Sequence, residues 1–195
     1  MTAVDEADLD ELAESENWRR PAGLFVLAPI MGPAGARVTA ARRLYDPKLA
    51  AANEPHVTLA GSSGIGPILP GTSAQAIRNA LAPIAAATPP LKLSFGVPHR
   101  FMQTNIVSLP LDPHGPLREL HDRIARSGLS FGPSRFTFTP HVTLSLYPKL
   151  TAEAARALLA TRVHEPAVID RLVISKTDDP HPPRAWFELR LAADR

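Results

Sequence analysis

No cysteine occurs among the 195 residues, which excludes disulfides, a thiolate nucleophile and thiolate-bound zinc. No apolar run approaches the ~18–20 residues that span a bilayer. The first sixteen residues hold seven acids, no base and nothing like the apolar core of a secretory signal. A Gly-Lys-Ser/Thr phosphate loop and a dinucleotide fingerprint are both missing, so no ATP, NAD or other cofactor is expected. His181 beside Asp178 and Asp179 in a proline-rich loop is too sparse a set for a metal site, and none is expected. These absences leave a cytoplasmic enzyme or binding protein as the expectation, with no membrane partner.

What is present is an ordinary globular composition, 45% hydrophobic and 21% charged, enough for one domain or two small lobes sharing a core. The prolines number 21 and fall between apolar segments, as in 66–70 and 180–183, so they read as stiff loops. Charge is unevenly spread. Outside the first sixteen residues, 21 Lys and Arg face 12 acids, a formal +9, and residues 1–20 are set apart as an acidic extension. A basic body over 21–195 suits an anionic ligand such as a phosphate ester or short nucleic acid.

Periodicity predicts a strand over 23–30, a helix over 37–50, a strand over 55–61 and a helix over 74–87. Two strands, 91–97 and 105–111, are expected to be joined by a turn near His99–Thr104. The order then repeats. A helix over 116–127, a strand over 136–146, a helix over 151–162 and closing strands over 168–175 and 184–191 follow. At an offset of about 80–85 residues this is an internal duplication: an α+β fold of two pseudo-symmetric lobes, each with an antiparallel sheet and helices.

A pentapeptide anchors the duplication. Pro55-His56-Val57-Thr58-Leu59 recurs as Pro140-His141-Val142-Thr143-Leu144, and chance repetition in a chain this long is on the order of one in a hundred. In a strand, His and Thr share one face while Val and Leu share the other. A pseudo-two-fold between the lobes would bring both His/Thr pairs into one cleft. Histidine titrates near neutrality, so one imidazole serves as base while the other serves as acid, and two hydroxyls can hold non-bridging phosphate oxygens. That set suits in-line attack on a phosphodiester without a metal.

Two His-x-Thr motifs, the opening strand 23–30, the central IVSLPL strand and the run Phe138-Thr139-Pro140-His141-Val142-Thr143-Leu144 resemble the 2H phosphoesterase superfamily, and most closely its 2′-5′ RNA ligase/cyclic phosphodiesterase group. The likeness covers most of residues 23–191. It implies a bilobal fold with a central cleft and hydrolysis of 2′,3′-cyclic phosphates on RNA ends or small nucleotides. It further implies His56 as proton donor to the leaving oxygen, His141 as the base that activates water, and Thr58 and Thr143 as phosphate-binding residues.

Members of the group often carry an Arg soon after the second motif. Here Ser145, Leu146 and Tyr147 follow, and Lys149 is the first base, so a basic substrate contact is expected from Arg100, Arg135 or Lys149. Phe101, Phe138, Tyr147 and Trp186 are candidates to stack on a nucleobase. Histidines 99, 114, 121, 164 and 181 lack repeated context and read as surface or capping residues. Two other functions stay open on the residues: a phosphodiesterase for 2′-5′-linked or cyclic signalling oligonucleotides, and a nucleotide- or RNA-binding module without turnover.

Overall fold

In a computed structural model of the chain, the described residues are 22–102, 104–134, 136–146, 149–178 and 181–192. The acidic lead-in, Arg135 and Tyr147 therefore lie outside the described residues.

The first half runs β1 (Gly23–Pro29), α1 (Gly32–Tyr45), α2 (Pro47–Ala52), β2 (His56–Ala60), α3 (Ala74–Ala86), β3 (Leu91–Leu93) and β4 (His99–Arg100). The second repeats it as β5 (Val107–Pro110), α4 (Pro116–Ala125), β6 (His141–Ser145), α5 (Ala152–Ala160), β7 (Ala167–Ile169) and β8 (Arg171–Asp178), with β9 (His181–Arg190) added as a hairpin. The helix expected over 37–50 is two helices. Proline in the first turn lets α1 begin at Gly32, and Asp46 closes it while its side chain caps α2 by accepting from Leu49 N at 2.9 Å. Gly35 sits where α1 doubles back on β1, and a Cβ there would run into the Ile30 carbonyl.

Pairing departs from the sequence expectation in one respect. The start of segment 91–97 takes no part in the hairpin with 105–111, which is made by Gly96–Arg100 turning back at Phe101–Ile106, with Gly96 N donating to the Pro110 carbonyl at 2.8 Å. Instead β3 pairs antiparallel with its own counterpart β7, and His99–Arg100, expected to be a turn, is a strand on β5. Sheet order is β2-β1-β8-β9 in one lobe and β6-β5-β4 in the other. The last strand of each half thus lies in the sheet of the other half: β4 on β5, and β8 on β1. Alternation along a strand cannot reveal this, because it reports the buried face and not the neighbour.

Both sheets send apolar side chains into one continuous core. Val26, Ala28, Val57, Leu59, Leu172 and Ile174 come from the first sheet and Leu109, Val142 and Leu144 from the second, with Ile77, Leu81, Leu117, Leu120, Ile124 and Leu158 from the helices. Among the described residues no helix is long and apolar enough to cross a membrane.

Candidate active site

The two repeated pentapeptides occupy matching places. β2 and β6 are edge strands of their sheets and pack against each other. In β2, Val57 and Leu59 are buried while His56 and Thr58 are half-buried on the opposite face, and β6 repeats the pattern with Val142 and Leu144 against His141 and Thr143. Registers match as well. His56 faces Pro29 and Thr58 faces Leu27, while His141 faces Pro110 and Thr143 faces Ser108. Each strand then bulges at the leucine after its threonine, so that two residues oppose one on the partner strand.

Each imidazole is oriented the same way. His56 Nδ1 donates to the Glu54 carbonyl at 2.6 Å, and His141 Nδ1 donates to the Thr139 carbonyl at 2.7 Å. A carbonyl only accepts, so Nδ1 carries the proton in both rings and Nε2 is the nitrogen that exchanges one. Burial pushes the His141 pKa below the usual histidine value, with the nearby His99 adding to the effect and the Thr139 hydrogen bond opposing it. His141 is therefore neutral at pH 7 and suited to accept a proton.

A sequence profile of the 2′-5′ RNA ligase superfamily matches residues 32–181, which contain both pentapeptides. The chain belongs to that superfamily. It is also similar to solved members of the fold. Escherichia coli LigT in complex with 3′-AMP is 18% identical with a TM-score of 0.54, and the match covers 89% of this chain and 99% of that one. A second crystal structure, of a phosphoesterase, is 20% identical with a TM-score of 0.52 over the same shares. A Geobacillus kaustophilus protein named as a phosphoesterase is 39% identical over 62 residues, 31% of this chain. The chain spans about a third of that curated relative's length, 35%.

For a member of this superfamily, the surroundings of the motifs are informative. The Phe101 ring meets His141 edge-on at 5.2 Å and His99 at 5.0 Å. His99, expected at the surface, lies in the same cross-sheet row as Ser108 and Thr143, with Ser108 Oγ 3.4 Å from its Nε2. Phe138, a stacking candidate from the sequence, is instead buried at 6% exposure and lies parallel to the buried His121 ring at 3.9 Å. Arg100 spends its guanidinium on the loop that follows, donating to the Thr104 carbonyl and, at 2.9 Å, to Asn105 Oδ1. Lys149 is exposed beyond the end of β6.

Two buried groups escaped the sequence reading. His121 on α4 donates from Nδ1 to the Leu59 carbonyl of the first motif strand at 2.8 Å, and burial lowers its pKa. Arg42 on α1 donates from Nε to the Thr143 carbonyl of the second motif strand at 2.8 Å. Each motif strand is thus held by a side chain from the other half. An Arg in an Arg-rich chain and a His without repeated context carry no periodic signal that marks them as interior.

Proposed function

We propose that this protein opens 2′,3′-cyclic phosphates, on RNA 3′ ends or small nucleotides, to 2′-phosphates. The observation that carries this reading is the matched orientation of two histidines, each tied through Nδ1 to the carbonyl two residues earlier. Paired proton-transfer groups in a pseudo-symmetric frame serve a reaction that adds one oxygen and expels another.

His141 is the base, because its lowered pKa keeps Nε2 unprotonated near neutrality. It takes a proton from water as the water oxygen bonds to phosphorus. The P–O3′ bond breaks on the opposite side, and His56 delivers its Nε2 proton to O3′, leaving the phosphate on O2′. One proton is taken up and one is given, so the imidazoles exchange states and bulk solvent resets them. Thr58 and Thr143 donate to the non-bridging oxygens, whose charge grows in the transition state. Acid and base each contribute about 10²–10⁴-fold.

The test is product analysis in EDTA with nucleoside 2′,3′-cyclic phosphates and a short RNA ending in one, using wild type, His56→Ala and His141→Ala. A 2′-phosphate product lost in both variants supports the reading. A 3′-phosphate product, or turnover that survives either substitution, refutes it. If folded wild type leaves these substrates intact, 2′-5′-linked and cyclic oligonucleotides come next. Salt-dependent binding without product on any of them would mark a binding module.

A further inference from the structure

We infer that Arg42 is a positioning residue that sets the separation between the two histidines. The inference rests on the acid–base reading above. The Arg42 side chain is 1% exposed, and its guanidinium reaches the backbone of both motifs. Nε donates to the Thr143 carbonyl at 2.8 Å, and Nη1 donates to the Asn53 carbonyl at 3.0 Å. Thr143 belongs to the second motif. Asn53 immediately precedes Glu54, whose carbonyl fixes His56 Nδ1. One planar, rigid fork therefore spans the strand that carries His141 and the segment that orients His56.

Asp46, one helical turn later and also 1% exposed, extends the clamp. Its Oδ2 accepts from Leu146 N at 2.7 Å, just past β6, while Oδ1 accepts from Leu49 N. Because β6 is an edge strand, its outward carbonyls and N–H groups lack a strand to pair with, and α1 supplies side chains in place of one. Stability alone accounts poorly for this arrangement. Burial pulls the Arg42 pKa down to about 10, a sign of the desolvation it suffers, and well-packed apolar replacements of buried charges are often no less stable. Holding two backbone segments from different halves of the chain at a fixed spacing is work that a bidentate cation does and an apolar side chain does not.

In-line displacement needs the acid and base on opposite sides of phosphorus, and a misplacement of about 1 Å costs about 10²-fold. The experiment compares wild type with Arg42→Lys and Arg42→Gln on two substrates. A nucleoside 2′,3′-cyclic phosphate has a poor alkoxide leaving group and needs both histidines. A p-nitrophenyl phosphodiester has an activated leaving group and needs the acid far less. The expected result for both variants is a fall in kcat of about 100-fold on the cyclic substrate with little change in KM, and of less than about 10-fold on the activated one. Equal losses on both substrates, or a change confined to KM, would overturn the assignment.

Calorimetric titration with vanadate and with inorganic phosphate provides a readout independent of turnover. Vanadate, tetrahedral when free, takes up a water oxygen as a fifth ligand and so adopts the five-coordinate geometry that both halves must grip. Its affinity should fall at least about 10-fold in the variants while that of phosphate holds. Unchanged vanadate affinity, or equal losses for both anions, would overturn the assignment even if no nucleotide is turned over. A wild type that binds both anions but hydrolyses neither substrate defeats the cyclic-phosphate reading and leaves the Arg42 assignment to the vanadate result. Wild type binding neither anion defeats both. If neither variant folds, Arg42 is structural and the assignment falls.

Discussion

Gly64 offers a sharp test of how tightly the first motif strand is held. Its φ is +76°, and a Cβ there would stand 2.5 Å from His121 Nε2, nearer still to Cε1, and 2.8 Å from Phe138 Cβ. The ring cannot swing aside, since it is stacked on Phe138 and bound to the Leu59 carbonyl. Gly64→Ala therefore combines a backbone cost of about 1–2 kcal/mol with an overpacking cost of about 1–3 kcal/mol. The sum, about 2–5 kcal/mol, corresponds to a fall in Tm of roughly 4–20 °C at this chain length. Two controls separate the contributions. Gly128 has a φ of +83° with nothing within 4 Å of an added Cβ, so its alanine variant carries the backbone cost alone. Gly71 has neither the positive φ nor a neighbour within 4 Å, so its variant should be near neutral. Urea unfolding of the three variants measures the series. Should Gly64→Ala cost no more than Gly128→Ala, the packing argument for His121 is wrong.

The acid limb of kcat/KM should report His141 and fall below the ordinary histidine value, because burial depresses that pKa; a limb at or above pH 6.5 contradicts the base assignment. Phe101→Ala, which opens the His141 ring to water, should move that limb upward in the same pH–rate profile. Stability should also depend on acid. The folded pKa values of His121 and His141 lie below their unfolded values, so the stability they contribute is complete above about pH 6.5 and is lost as pH falls through the folded values. Urea midpoints from pH 7.5 to 5 check this, and His121→Gln should flatten the slope. Asp46→Ala removes an acceptor for two N–H groups and the charge facing Arg42, so unfolding should show a loss of about 3–5 kcal/mol.

The motif residues were legible because repetition and alternation are both sequence signals. His56 and Thr58 had to share a face opposite Val57 and Leu59, and the second copy made an accident improbable. Most elements were legible for the same reason, to within a few residues at their ends. What was not legible depends on which element neighbours which. Nothing in His99–Arg100 shows that it pairs with β5, and nothing in 91–97 shows that Leu91–Leu93 pairs with Ala167–Ile169. The interior roles of Arg42 and His121 depend on carbonyls 101 and 62 positions away, respectively, long-range contacts that local pattern cannot encode. Phe138 shows the opposite case. An aromatic beside the motif invites a substrate-facing reading, but burial against His121 turns it into core.

The exchange of β4 and β8 has a consequence for how the protein comes into being. β1 must pair with β8, whose residues leave the ribosome about 150 positions later, so the sheet bearing His56 stays unfinished until residues 171–178 have been made. Long closures of this kind slow folding and leave strand edges open while synthesis continues. The first motif is translated early yet completed late. A nascent chain halted before residue 171 holds both histidines but lacks β8, the strand that β1 pairs with on the side away from the first motif.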